Sequence, residues 1–368
     1  MRPSPYPLWA KSKIQKGLHM KNKRLILTAL LLLAGSVPAF SDAIFAPTGV
    51  LDMIPTSMTK DASIVVGTGT FGAPNLYYTE AGGATVIGDG CASGLPSISL
   101  DGLTILGCHV DNNGDENAAR WLGGTDWLDL GSEAGAVPCG TLLSGAWGVT
   151  ADGSLGVGLL WRVEECHANA GTWDLVNGGP AMVLENLVDG RSTRANAVNA
   201  DGSVIVGWQD LETGVRVAAQ WVNGVEELIL TRNGGYNGEA QAVTADGKTI
   251  VGGGYKLTND AWIWQEGVGV KPIGLPGHGR LVALDISDDG RIVVGFSGND
   301  HAFIWQKGTG LRDLGQFLQA HGAVVPDGWT LNAASLVSSD GNTIYGWGIN
   351  PTQRIEMFKV VVNAGTAH

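Results

Sequence analysis

The stretch Ile286-Ser287-Asp288-Asp289-Gly290-Arg291-Ile292-Val293-Val294-Gly295 is continued by His301-Ala302-Phe303-Ile304-Trp305 and Gly308-Thr309-Gly310-Leu311-Arg312-Asp313-Leu314-Gly315. An Asp-Gly pair flanked by β-branched residues signals a hairpin, because glycine accepts the positive φ that the turn needs. Two strands therefore meet at Asp289. The aromatic run ending at Trp305 and the aliphatic run around Leu311 and Leu314 supply a third and a fourth.

The same phrase recurs on both sides. Clear copies run Val149 to Gly156, Val198 to Gly207, Val243 to Gly252 and Val337 to Gly346; weaker ones run Ile98 to Gly107 and Met58 to Gly67, the last with Asp61-Ala62 in place of Asp-Gly. The anchors are Asp61, Asp101, Asp152, Asp201, Asp246, Asp289 and Asp340, seven copies spaced 40 to 51 residues apart. An aromatic follows each anchor by 16 to 21 residues: Tyr78, Trp121, Trp173, Trp221, Trp264, Trp305 or Phe358. Four short strands in a repeat of this length describe a β-propeller blade. Three residues before each anchor the side chain is apolar, and six before it five copies carry Ala (Ala146, Ala195, Ala240, Ala283, Ala334). Small residues suit an innermost strand, where sheets converge on an axis, and the aromatics suit the wider space between outer strands.

Only ten residues follow Phe358, too few for a fourth strand, whereas Thr48-Gly49-Val50-Leu51-Asp52-Met53 resembles Thr309-Gly310-Leu311-Arg312-Asp313-Leu314. Residues 46–53 are therefore expected to complete the last blade. The fold is read as all-β, a seven-bladed propeller closed by an N-terminal strand, which leaves no sheet edge exposed.

Composition agrees. Of 368 residues, 56 are Gly, and Trp (13) outnumbers Tyr (6) and Phe (7), which excludes a helical bundle. Charged residues make up 16% and the apolar set 44%, so the chain is neither a disordered tail nor a basic nucleic-acid binder. Lys21, Lys23 and Arg24 precede an apolar run from Leu25 to Val37 and the small residues Ala39-Phe40-Ser41, which reads as a secretory signal peptide; residues 1–19, ahead of Met20, read as a long leader or an upstream start. The organisation is thus leader and signal peptide over 1–41 and one seven-repeat domain over 42–368. Removing 1–41 leaves 16 basic residues against 35 acidic ones, a net charge of −19 that repels nucleic acid and anionic lipid.

An even count of four cysteines in an exported chain reads as two disulfides, and no Cys-His spacing suits zinc. In a four-stranded blade the incoming loop and the loop between strands two and three emerge on the face opposite the Asp-Gly turn. Cys91 and Cys108 fall in these loops for one blade, and Cys139 and Cys166 for the next, so the pairs 91–108 and 139–166 are expected.

His301-Ala302-Phe303-Ile304-Trp305, with the Asp-Gly phrase before it and the Gly-x-Gly phrase after it, resembles the HAF-type extracellular repeat of bacteria. The resemblance covers nearly all of residues 46–360. It implies an exported bacterial repeat protein, secreted or periplasmic, with no assigned activity. The tripeptide is intact once; other copies read Ala-Ala-Arg-Trp or Ala-Ala-Gln-Trp, so His301 is not a repeated functional position.

Catalytic patterns are sparse. Gly67-Thr68-Gly69-Thr70-Phe71-Gly72 fits G-x-G-x-x-G, but Pro74 follows where a phosphate-binding helix would start. Neither G-x-S-x-G nor H-E-x-x-H occurs. Each anchor Asp reads as a turn former accepting its own backbone amide. Asp111-Asn112-Asn113-Gly114-Asp115-Glu116-Asn117 spaces carboxylates and amides as a calcium loop does, without the sixth-position Gly or twelfth-position Glu, and a solvated loop is the preferred reading. No cofactor is expected, calcium being the single candidate. Asp111, Asn113, Asp115, Glu116, Glu164, Glu165 and His167 belong to long loops on the disulfide-stapled face, which is the expected binding surface.

The chain is therefore read as a monomeric, non-enzymatic binding or scaffold module for a protein or glycan, with no nucleic-acid partner and no membrane span after processing. The alternative is a carbohydrate-active hydrolase or lyase whose carboxylates come from different blades, Asp285 on an innermost strand being one candidate. A structural surface-layer role is a third reading.

Overall fold

The computed structural model describes residues 42–70, 74–162, 166–254, 260–274, 280–298 and 301–362; the leader and signal segment, Glu164 and Glu165 lie outside them. The fold is all-β and propeller-like, assembled from four-stranded antiparallel sheets. In the Asp201 repeat the strands are Thr193–Val198, Val204–Asp210, Arg216–Val222 and Val225–Leu228, paired in that order. The Asp246 and Asp289 repeats follow the same order and are joined through one pair, Gly253 with Val282, into an eight-stranded sheet.

The anchor turns carry the same bonds from repeat to repeat. At Asp289 the Ser287 amide donates to the Ile292 carbonyl at 3.0 Å and the Gly290 amide to the Ser287 carbonyl at 2.9 Å, enclosing a four-residue loop. Gly290 has φ 67°, as the pattern requires, and Ala62 takes φ 57° where the first copy lacks the glycine. Asp289 Oδ1 accepts the Arg291 amide at 2.9 Å and the Ser287 hydroxyl at 2.8 Å, the turn-forming role expected of it. Ser287 Oγ in turn accepts the Ile292 amide at 3.0 Å. Thr59, Ser99, Thr150, Thr244 and Ser338 repeat that bond with hydroxyls and Asn199 with its amide oxygen.

Each innermost strand but the two-residue Ser97–Ile98 carries a β-bulge at one register, five residues before its anchor. The residue before the bulge pairs with glycine: Ala195 with Gly207, Ala240 with Gly252, Ala283 with Gly295, Ala334 with Gly346. At Gly207 a Cβ would strike the Arg194 carbonyl, so glycine is what lets the bulged strand approach its neighbour. In the third repeat the equivalent glycine is Gly158, paired with Ala146; Gly156, the expected end of that copy, opposes Val149 instead.

The five alanines are fully buried, and the third-strand aromatics Trp173, Trp221 and Phe358 fill the layers between sheets. Strand Ala43–Leu51 pairs antiparallel with Ile355–Val362 and completes the Asp340 sheet. It begins earlier than expected and ends sooner, because Asp52 turns with φ 59° and Met53 starts the next strand. Met53, Met58 and Tyr78 of the first repeat pack with Leu336, Tyr345 and Met357 of the last. One expected strand residue is helical: Leu314 opens the helix Leu314–Ala320, capped by Asp313 Oδ1 on the Gln316 amide at 2.9 Å. That helix buries Leu314, Phe317 and Leu318 against Phe45, Ile304 and Phe358.

Candidate functional site

Both expected disulfides form, Cys91–Cys108 with Cα atoms 5.5 Å apart and Cys139–Cys166 with 5.4 Å. Cys108 lies within the strand Ile105–Val110 rather than in the loop after it. The segment bearing Cys139 is laced to the neighbouring repeat, since the Glu116 amide donates to Thr141 and the Leu143 amide to Glu116 at 3.1 Å.

The expected site residues on this face separate into three roles. Asp111 organises its own loop: Oδ1 accepts the Asn113 amide at 2.8 Å and the Asp115 amide at 2.9 Å, and Oδ2 accepts the Asn117 side chain at 3.3 Å. Those bonds hold its carboxyl below the usual range, the Asp115 amide contributing most. A carboxylate surrounded by N–H donors is the opposite of an oxygen cage facing a cation. Glu116 points elsewhere, its Oε2 accepting the Ser93 amide at 3.0 Å and hydroxyl at 2.6 Å beside Cys91 and Cys108, whose sulfurs are bonded to each other and are not thiolate ligands. His167 lies at a cavity.

That cavity encloses about 970 Å³ between the segment Glu133 to Val137, the strand residues Trp161, Arg162, His167 and Asn169, and the turn Asp189 to Arg191. Arg162 Nε donates to Glu133 Oε1 at 3.0 Å, and an Arg191 guanidinium N–H to the Glu212 carbonyl at 2.7 Å. Trp161 Nε1 is buried without a hydrogen-bond partner among the described residues. The Cys139–Cys166 bond adjoins this cavity on the strand side, at the residue before His167.

A second cavity, of about 250 Å³, lies where the innermost strands of all seven repeats meet. Asp285 lines it. One carboxylate oxygen accepts the Val337 amide and the other the Ile286 amide, each at 2.8 Å. Burial pushes this carboxyl up to about 7 against the pull of both amides. Asp285 is thus a seam between the last two repeats, and Ser57 holds the same register in the first, its hydroxyl accepting the Ile98 amide at 3.1 Å.

Farther from the turns, across the first three strands of the Asp201 repeat and the innermost strands on either side, stands a network absent from any sequence spacing. Glu239 accepts Arg194 at 3.4 Å and Arg216 at 2.8 Å; Arg216 also pairs with Asp210 at 3.0 Å and lies over Trp208, 3.4 Å from the ring centre. Arg194 lies 3.8 Å over Trp147 and donates to Asn196 Oδ1 at 2.7 Å. Burial pushes Arg194 down to about 10, whereas in Arg216 the bonds to Asp210 and Glu239 outweigh burial and raise it. These residues come from three neighbouring repeats, so only the fold brings them together.

No protein-family model matches the chain, and no curated protein matches it in sequence. Among solved structures the chain is similar to an oligogalacturonate lyase in complex with manganese (TM-score 0.54, 13% identity, 89% of this chain and 92% of that one). It is similar also to the oligogalacturonate lyase of Vibrio parahaemolyticus (0.53, 12%, 87% and 94%). TolB from Acinetobacter baumannii matches at 0.45 and 14% over 71% of this chain, which spans 62% of the TolB chain. Identities this low show a shared fold and nothing of activity. Both disulfides fit an oxidising compartment, and among the described residues no helix is long and apolar enough to cross a membrane.

Proposed function

We propose that residues 42–368 form a closed seven-bladed β-propeller, exported by way of residues 1–41, that acts as a non-enzymatic module binding a glycan on its disulfide-stapled face. The observation that carries this reading is the cavity of about 970 Å³ at Trp161, Arg162, His167, Asn169 and Arg191. An indole beside planar polar groups suits a sugar, whose C–H face packs on the ring while its hydroxyls pair with amide, guanidinium and carboxylate groups. Cys139–Cys166 fixes the rim, so little ordering is left to oppose binding. The HAF-type resemblance belongs to the same reading, placing the protein in the periplasm or outside the cell.

The test is a glycan array with the full chain, followed by calorimetry on any binder. Trp161→Ala and Arg191→Ala should each weaken the hit by about tenfold while leaving thermal unfolding near the parent value. A hit indifferent to both substitutions would place the partner elsewhere and end this reading.

One observation favours an enzyme instead: Asp285 is a carboxyl near neutral pKa that faces the axial cavity. Asp285→Ser, which keeps a hydroxyl acceptor for Val337, should abolish turnover of an acidic or neutral polysaccharide if that reading holds, and should leave glycan binding on the stapled face untouched if it does not.

A further inference from the structure

The bulge that recurs in the innermost strands has a consequence for the axial cavity. The residue that each bulge leaves outside the ladder is Thr56, Trp147, Asn196, Gln241, Leu284 or Ser335, and all six line the cavity. Bulges re-aim side chains next to sites. On either side of this position the repeat is monotonous, with alanine or proline before it and an apolar residue two places after it, yet at the position itself no two of the six side chains are alike.

The cavity also holds an unmet polar group. Ser97 Oγ is buried, at 4% residue exposure, and has no hydrogen-bond partner among the described residues. Ser57 and Asp285, at the same register in other repeats, each accept the backbone amide of the following repeat. Ser97 lines the cavity with its hydroxyl uncommitted, which is costly in a native site unless a guest pairs with it. At the turn end, backbone bonds between repeats bound the space: Lys60 to Leu100 at 3.1 Å, Ala200 to Ala245 at 3.1 Å and Asp288 to Ser339 at 3.0 Å.

We infer that the axial cavity is a binding site for a neutral polyhydroxylated molecule the size of one sugar ring, selected by the six side chains that the bulges turn inward. Its wall offers hydroxyl and amide groups that both donate and accept, one indole, and the carboxylates Asp285 and Asp288 without a lining Lys, Arg or His. An anion would meet those carboxylates uncompensated. An apolar guest would leave Ser97 unsatisfied, and would offer nothing to the Gln241 carbonyl oxygen or the Ser335 hydroxyl. A volume near 250 Å³ admits a monosaccharide and excludes an oligomer. This site is separate from the stapled-face cavity and does not depend on it.

The test titrates the full-length chain by calorimetry with glucose, galactose, mannose and myo-inositol, with galacturonate as the anionic counterpart. One neutral compound should bind saturably, and Gln241→Leu and Ser335→Leu should each weaken it by about tenfold or more. Two variants at different repeats guard against one that misfolds, and circular dichroism checks both. Arg191→Ala, on the stapled face, should leave this affinity unchanged. Overturning results are no saturable binding by any neutral probe, binding of galacturonate as tight as the neutral compounds, or loss of binding in Arg191→Ala with retention in both cavity variants. A crystal soaked with the bound probe should place it against Ser97; ordered water alone there would also overturn the assignment.

Discussion

Asp285 reaches from one repeat to the next and accepts the amide of Val337 at 2.8 Å, a bond in which the carboxylate does what Ser57 does for Ile98 with a hydroxyl. An ionisable group thus occupies a position where a neutral one suffices, and the cost of burying its charged form appears as its raised pKa.

That cost should be readable as pH dependence. Asp285 titrates near 7 in the folded chain against a reference value of 3.8, and Glu226, raised by burial, near 7 against 4.5. Between those values the folded chain holds protons that the unfolded chain has released, so the contribution is full below about pH 4 and declines as pH rises through 7. Asp285→Ser should flatten the fall in unfolding free energy between pH 4 and 8 by up to about 4 kcal/mol, read from urea denaturation, and Glu226→Gln should flatten the remainder. An unchanged slope in both variants would refute the assignment. The anchors Asp61, Asp152 and Asp340 run the other way: their lowered pKa values stabilise the fold above the ordinary carboxylate range and lose that effect on further acidification.

Gly207 and Gly214 separate two uses of glycine. A methyl at Gly207 meets the Arg194 carbonyl, and Gly207→Ala should cost about 3 kcal/mol by forcing the bulged strand away. Gly214 has φ 74° and open space around it, so Gly214→Ala should cost only about 1 kcal/mol of backbone strain. Paired denaturation curves decide it; equal losses would count against the packing argument.

Glu239 is the shared acceptor for two arginines, and Glu239→Gln should destabilise the chain by about 3 kcal/mol because Arg194 and Arg216 stay partly buried with less counter-charge. Adding Arg194→Met should recover part of the loss, since an apolar side chain beneath Trp147 needs no partner. A double variant weaker than the single would argue that Arg194 contributes through stacking.

Removal of Cys139–Cys166, which closes a 27-residue separation, should lower stability by about 3 kcal/mol and weaken any stapled-face ligand. Removal of Cys91–Cys108 should lower stability without touching that ligand. Thermal scans and calorimetry on the two double-serine variants separate the effects; identical ligand losses would mean that the staple does not shape the cavity.

What could be read from the sequence was local. Asp-Gly anchors, apolar neighbours three residues earlier and the cysteine pairs follow from turn chemistry and strand order, and Gly207, Gly252, Gly295 and Gly346 close their phrases as expected. Gly156 misled because a second glycine, Gly158, stands two residues on and only strand pairing tells which one faces Ala146. Leu314 misled because an Asp before a leucine reads equally as strand end or helix cap. The bulges were invisible, since their signal is one extra residue in a ladder. The cluster of Arg194, Arg216 and Glu239 was invisible too, because it joins two repeats and reaches a third only through Trp147. Of the expected binding residues, His167 lines a cavity, while Asp111 and Glu116 are committed to their own loops and neighbours.

The pairing of Ala43–Leu51 with Ile355–Val362 sets a timetable. The Thr48 hydroxyl donates to the Met357 carbonyl across a separation of 309 residues, so the earliest strand has no partner until nearly the whole polypeptide has been synthesised. Long-range pairing of this kind is slow to nucleate. The first and last strands thus act as the two halves of a latch, one that engages late because its halves lie at opposite ends of the described chain.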